Sequence, residues 1–375
     1  MTGPLISRSL ARGLVLPRSF VRAGRRGIRR LVPVLALALP ALAAARSSSL
    51  SPEYKAALRA YASGEREKAV VAVVGWTERR LREEVPGLSA TLASLPRVAL
   101  LLHGDCAQRA RRDGLQAQHH ESAALTIAHM LKAESAERPF VRRWYEAMAG
   151  LALGETRWGE ARDWAERGLR DFPDSAPMLL VVGSIEETFG ALALLRLPDS
   201  VFSPIQRETR ANLEALREAR GHLERAHRSL RSAVAAEPSL AEARLRLGRV
   251  AWRLGETSEA RSALEEVLAR GPAAHTGFLA HLFLGRIHED AGRLADAARS
   301  YEAALALDPH AQSARLALSH ARLRLGSPAV ARREVEESFR TAGRRQQPDP
   351  FWLYPWGPAV GVEERLEALR REASS

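Results

Sequence analysis

Two adjoining stretches of this chain carry the same small, large and turn residues at the same offsets, and that periodicity limits the fold more than any other feature. Leu247-Gly248 is followed by Gly255, Ala260, Leu264, Val267 and Pro272, and Leu284-Gly285 by Gly292, Ala297, Tyr301, Ala304 and Pro309. In both copies the first glycine and the alanine are 12 residues apart, and the glycine and the proline 24. A unit of this length cannot bury an apolar face alone, so several must stack. Small residues at the glycine and alanine positions let helices approach, while Leu247, Leu264, Leu284 and Tyr301 fill the space between them.

Weaker copies extend the register. Leu318-Ser319, Gly326, Ala331 and Val335 follow the second copy at an offset of 34. Upstream, Ala161 to Pro173 and Ala226 to Pro238 each repeat the 12-residue spacing of Ala260 to Pro272, and Gly183 stands where a first glycine belongs. Gly64 and Ala69 repeat the five-residue turn of Gly255 and Ala260, which places a first hairpin over residues 51 to 85. Residues 96 to 133 read as a degenerate hairpin split at Arg112-Asp113-Gly114. Between Gly183 and Ala226, residues 189 to 217 read as an insertion with Gly190, Pro198 and Pro204 as breakers.

The order leucine-glycine, alanine, large residue, proline resembles the tetratricopeptide repeat. Arg244 and His281 stand where that family usually has tryptophan. The resemblance implies an all-α, right-handed superhelical solenoid of five or six helical hairpins, its concave wall lined by the first helix of each pair. The expected layout is a signal peptide or anchor over 1–45, degenerate hairpins over 46–137, and the array over 138–343 with its insertion at 189–217. An aromatic linker and an amphipathic capping helix fill 344–375. Composition agrees, since alanine, leucine, arginine and glutamate dominate and favour helix.

The formal charge of +12 is placed unevenly. Eight arginines (8, 12, 18, 22, 25, 26, 29 and 30) precede residue 46, and the first acid is Glu53. Without them 48 basic residues face 44 acidic ones, a net of +4, mixed at helical spacings that suit solvated ion pairs. The body therefore reads as binding no nucleic acid. After the arginines come fifteen apolar residues, Leu31 to Ala45, with small residues at the end: the order of a secretory signal. Pro33 and Pro40 interrupt the run, and it is short for a membrane span. Export to the bacterial periplasm or envelope is the expectation, with an uncleaved anchor, a later start near Val21 or a mitochondrial transit peptide as alternatives. Any membrane contact is expected only through this segment.

Catalytic patterns are missing from the sequence. His119-His120-Glu121 and His129 lack the paired-histidine spacing of a zinc helix, Cys106 has no marked base, and no phosphate-binding loop or nucleophile elbow occurs. The expectation is a non-enzyme with no cofactor and no metal. The resemblance implies groove-facing side chains at the second, fifth, ninth, twelfth and thirteenth positions of each unit. In the two best copies these are Glu242, Leu245, Arg249, Trp252 and Arg253, then Leu279, Leu282, Arg286, Glu289 and Asp290. Leucine at the fifth positions does not support the lysine and asparagine clamp of chaperone-binding members. Arg249, Trp252, Arg253, Arg286 and Glu289 make up the expected protein- or peptide-binding surface, through bidentate pairing and stacking. Phe351, Trp352, Tyr354 and Trp356 offer a second contact or a seal for the last hairpin. The functional expectation is a scaffold or adaptor; the alternative is an accessory subunit of an envelope enzyme, acting through the 189–217 insertion.

Overall fold

The structure, a computed structural model, describes residues 96–112, 118–195, 210–342, 348–359 and 361–374. The arginine-rich segment, the apolar run, the hairpin over 51 to 85 and the break after Arg112 fall outside those residues. Everything described is helix, turn or connection, as the repeat requires. The chain divides into two units, one of residues 149–360 and one whose described part is 96–148 and 361–374.

In the smaller unit α1 (Pro96–Arg112) and α2 (Gln118–Leu131) form a hairpin, joined by α3 (Arg138–Gly154), which ends in the larger unit, and by α14 (Val362–Ser374). Val362, Leu366, Leu369 and Ala373 form the buried stripe of α14, and Arg370 pairs with Asp105 of α1 at 3.1 Å. The terminal helix thus caps α1 with its apolar side. His120 meets His103 within the hairpin, Nδ1 to Nδ1 at 2.9 Å.

The larger unit holds α4 (Trp158–Asp171), α5 (Ala176–Leu195), α6 (Arg210–Ala236), α7 (Ala241–Leu254), α8 (Thr257–Ala269), α9 (Ala274–Asp290), α10 (Leu294–Leu307), α11 (Gln312–Arg324) and α12 (Pro328–Ala342). Consecutive helices pack as pairs, α5 with α6, α7 with α8, α9 with α10 and α11 with α12, and each second helix packs on the next first helix. The repeat residues explain the pairing. A Cβ on Gly248 would lie 2.8 Å from Cγ of Leu264 and 3.1 Å from the Ala260 carbonyl, so a helix carrying any side chain there could not come as close. One core cluster runs through α7 to α11 from Leu245 to Ala321 and takes in Tyr354, and another joins α5, α6 and α7. Gly255, Gly292 and Gly326 turn the chain between helices with φ of 91°, 73° and 77°, conformations that suit a residue without Cβ.

Thr156, five residues before Ala161 as Gly255 is before Ala260, takes the left-handed conformation at its turn with φ of 59°. The expectation for 189–217 changes. Most of that stretch belongs to helices, because α5 continues to Leu195 and α6 starts at Arg210. The two are 20 and 27 residues long and pack along each other, with residues 196–209 outside the described chain. Ala176–Leu194 is long and apolar enough to cross a membrane, and here it lies among α4, α6 and the residues 354–359, as a core helix does.

Candidate functional site

The first helices α5, α7, α9 and α11 lie side by side and form one wall of the larger unit. Across it runs the chain's own segment from Asp349 to Ala359, built of a short helix, α13 (Pro350–Leu353), and a 3-10 turn over Tyr354–Ala359. The segment crosses the wall in reverse order. Asp349 caps α13 by accepting from Phe351 N–H at 3.0 Å, and it also accepts from Ser313 N–H and Oγ–H of α11 at 3.0 and 2.8 Å. The Tyr354 ring stands nearly perpendicular to that of Phe283 on α9, centroids 5.5 Å apart. Gly357 lies against Glu242 of α7, where a Cβ would be 2.9 Å from the carboxylate carbon, and Ala359 meets Gly154.

Tyr354 is the anchor. Its hydroxyl donates to both carboxylate oxygens of Glu187 on α5, each at 2.9 Å, and its carbonyl accepts from Arg246 Nη2 of α7. Two guanidinium carbons sit over the ring, Arg246 at 4.1 Å and Arg249 at 4.5 Å. Arg246 bonds Glu187 through Nη1 at 3.0 Å and Glu242 through Nε at 2.7 Å, while Arg249 bonds Glu187. Burial pushes the Glu187 carboxyl up, but Arg249, Arg246 and Arg253 together with the Tyr354 hydroxyl outweigh it and hold it below the ordinary carboxylate range. Burial lifts the Tyr354 phenol, and Glu187 lifts it further.

The expected surface residues divide accordingly. Arg249 is 8% exposed and Glu289 1%, so both belong to the interior of the wall. Glu289 accepts from Tyr301 Oη–H at 2.9 Å, from Arg324 Nη1 at 3.3 Å, from Arg286 Nη1 at 3.4 Å and from His320. Trp252 donates through Nε1 to Asp290 at 3.0 Å. Arg253 is half-buried, with Nη1 fully enclosed and without an acceptor. Of the aromatic run, Tyr354 is buried, Phe351 half-buried and Trp352 exposed; the Trp356 side chain lies outside the described residues. That run does not seal the last hairpin, where Phe339 of α12 stays 73% exposed; it lies over the first helices.

The repeat register shows what the segment covers. At the fifth position Leu180, Leu245 and Leu282 are 4%, 0% and 7% exposed, whereas Leu316 on α11 is 46% exposed. At the twelfth position Leu323 is likewise open. Sequence reasoning missed Glu187 and Arg246. Gly183 would have found the first, since the twelfth position of its unit is Glu187; Arg246 sits beside the expected positions and turns inward to reach it.

Among the described residues no group of three or more histidines, cysteines, aspartates or glutamates could hold a metal. None of the curated proteins matches the chain. Solved structures of MamA share a low likeness: one is 17% identical, covering 51% of this chain and 91% of its own with a TM-score of 0.39. Another, the 41-end fragment from Desulfovibrio magneticus RS-1, is 18% identical, covering 55% and 97% with a TM-score of 0.40. At these values the likeness is one of fold alone. The tetratricopeptide-repeat family profile matches twice, over residues 218–282 and 282–347, which takes in α7 to α12 and most of α6. Such arrays serve protein contact, and over residues 218–347 the chain carries tetratricopeptide repeats, the repeat of protein-interaction scaffolds.

Proposed function

We propose that this chain is a non-catalytic scaffold that binds a protein or peptide segment along the wall of its first helices. The observation that carries the reading is the seat of residues 349–359. A proline- and aromatic-rich segment crosses four successive first helices, anchored by a ring against two guanidiniums and a hydroxyl on a buried carboxylate. An apolar floor with a few fixed polar groups supports the reading, because peptide recognition uses that chemistry. Leu316 and Leu323 continue the floor beyond the covered part, beside Arg324 and His320. Apart from Arg253, the titratable groups of the wall answer one another as ion pairs and hydrogen bonds, which suits a recognition surface better than an acid-base pair.

The same reading places the chain at the bacterial envelope. Its support is the sequence order of arginines, apolar run and small residues over 8 to 45.

A pull-down from the envelope fraction tests both parts. The full chain is compared with Arg253→Glu/Leu316→Glu/Leu323→Glu, three positions open enough to change without loss of fold. A partner captured by the wild type and lost by the variant is the expected result. Capture of the same partner at equal yield overturns the wall as the binding site, and recovery of the chain only from the cytosolic fraction overturns the location.

A further inference from the structure

The segment on the wall leaves part of it unanswered. Arg246, Arg249 and Arg253 face two carboxylates, Glu187 and Glu242. Arg246 bonds both acids and Arg249 bonds Glu187, so Arg253 is the surplus cation. Its Nη1 is enclosed without an acceptor, and so is Nε of Arg249. Burial and the neighbouring Arg249 pull the Arg253 guanidinium down to about 10.

The repeat register explains this. Elsewhere on the wall the twelfth residue of one copy bonds the thirteenth of the next: Trp252 meets Asp290 at 3.0 Å, and Glu289 meets Arg324 at 3.3 Å. The same diagonal runs from Glu187 to Arg253. There Glu187 is taken by Arg246, Arg249 and the Tyr354 hydroxyl, and no bond to Arg253 forms. A half-buried guanidinium with one nitrogen enclosed and unbonded is unfavourable, and an acceptor supplied there is a gain. The segment's own carboxylate cannot supply it, because Asp349 is committed to Ser313 and the Phe351 N–H. Residues 349–359 fit the shape of the wall and its acceptor, and leave its surplus positive charge open.

Resting on the reading of the wall as a peptide site, we propose that residues 349–359 are a displaceable occupant, and that the partner segment carries a tyrosine with an aspartate or glutamate beside it. Its phenol takes over Glu187, its main-chain carbonyl takes Arg246, and its carboxylate pairs with Arg253. A ligand shifts an equilibrium only by what it binds better than the resident does, and the pair with Arg253 is that difference.

The test uses fluorescein-labelled synthetic peptides of residues 349–359. One has the native sequence, and four carry aspartate singly in place of Trp352, Leu353, Pro355 or Trp356. Anisotropy titrations are run against the wild-type full chain and against Tyr354→Ala, which empties the anchor; Tyr354→Phe replaces it if circular dichroism shows that the alanine variant does not fold. The native peptide binds the emptied chain at least tenfold tighter than the wild type. At least one aspartate peptide gains a further tenfold, and Arg253→Ala in the same background removes that gain. If the native peptide binds neither chain, the wall reading and the proposal both fall. If it binds but no aspartate peptide gains, or the gain survives Arg253→Ala, the acidic partner is overturned while the wall reading stands.

Discussion

Changing Tyr354 to phenylalanine isolates one atom of the anchor. The ring stays, and with it the contact with Phe283 and the two guanidiniums; only the hydroxyl goes. Its single hydrogen is shared between the two oxygens of Glu187, both at 2.9 Å, in a fully buried site. A hydrogen bond to a charged group nets roughly 1.5–3 kcal/mol. Glu187 keeps Arg246 and Arg249, so it is not left bare, and a value of about 2 kcal/mol is expected. That is about a 30-fold shift from the seated segment toward the released one. Hydrogen exchange followed by mass spectrometry reads it directly: amides of residues 349–359 should exchange about 30-fold faster, while those of α7 to α10 keep their rates. Exchange in 349–359 that stays unchanged would refute the anchor. So would acceleration of the whole unit together with an equal loss of global stability, because the segment would then be core and not an occupant.

Arg253→Met removes the surplus cation and should stabilise the chain by about 1 kcal/mol in urea unfolding, after allowance for its partial exposure. Gly285→Ala puts a methyl group into the ring of Tyr301, whose hydroxyl holds Glu289; overpacking and the strained bond together should destabilise by about 3 kcal/mol, read by the same unfolding curve. Thr156→Gly relieves a branched side chain in the left-handed region and should raise stability by about 1 kcal/mol, whereas Thr156→Val should not. Glu187 has a depressed carboxyl in the folded chain, so its contribution is complete above about pH 4.3 and is lost as pH falls through the lower folded value. Exchange in residues 349–359 should accordingly rise only below about pH 4.

The sequence made the repeats legible because their physics is local. The spacing of Gly248, Gly255, Ala260, Leu264 and Pro272 reflects contacts between helices a few residues apart in register, and α7 to α12 fall where it places them. The same rule of five residues before the alanine places Thr156 at the turn before Ala161, where the left-handed residue is not a glycine. Gly190, Pro198 and Pro204 suggested an insertion, yet Gly190 sits inside α5, close against Leu223 and the Ala219 carbonyl of α6. There a glycine marks close packing and not a break.

What sequence could not show was what lies on the wall. Periodicity names the side chains that share one face of a helix, Arg249 and Glu289 among them. Whether such a face meets water depends on contacts far apart in the chain: 108 residues separate Arg246 from Tyr354, and 167 separate Glu187 from it. No local pattern encodes those pairings. The composition of the run from Phe351 to Trp356 did signal that something apolar needs covering, and an open array end was the nearest surface in sequence. The first helices were the better one, because there guanidiniums and a carboxylate surround a place for a phenol. A covering built only to exclude water would need neither the hydroxyl nor the carboxylate, since apolar groups of equal volume exclude it at no desolvation penalty. Polar groups set that deep select one side chain over others, and selection matters at a site where different segments compete. The orphaned Nη1 of Arg253 points the same way, for a permanent core would gain by removing it.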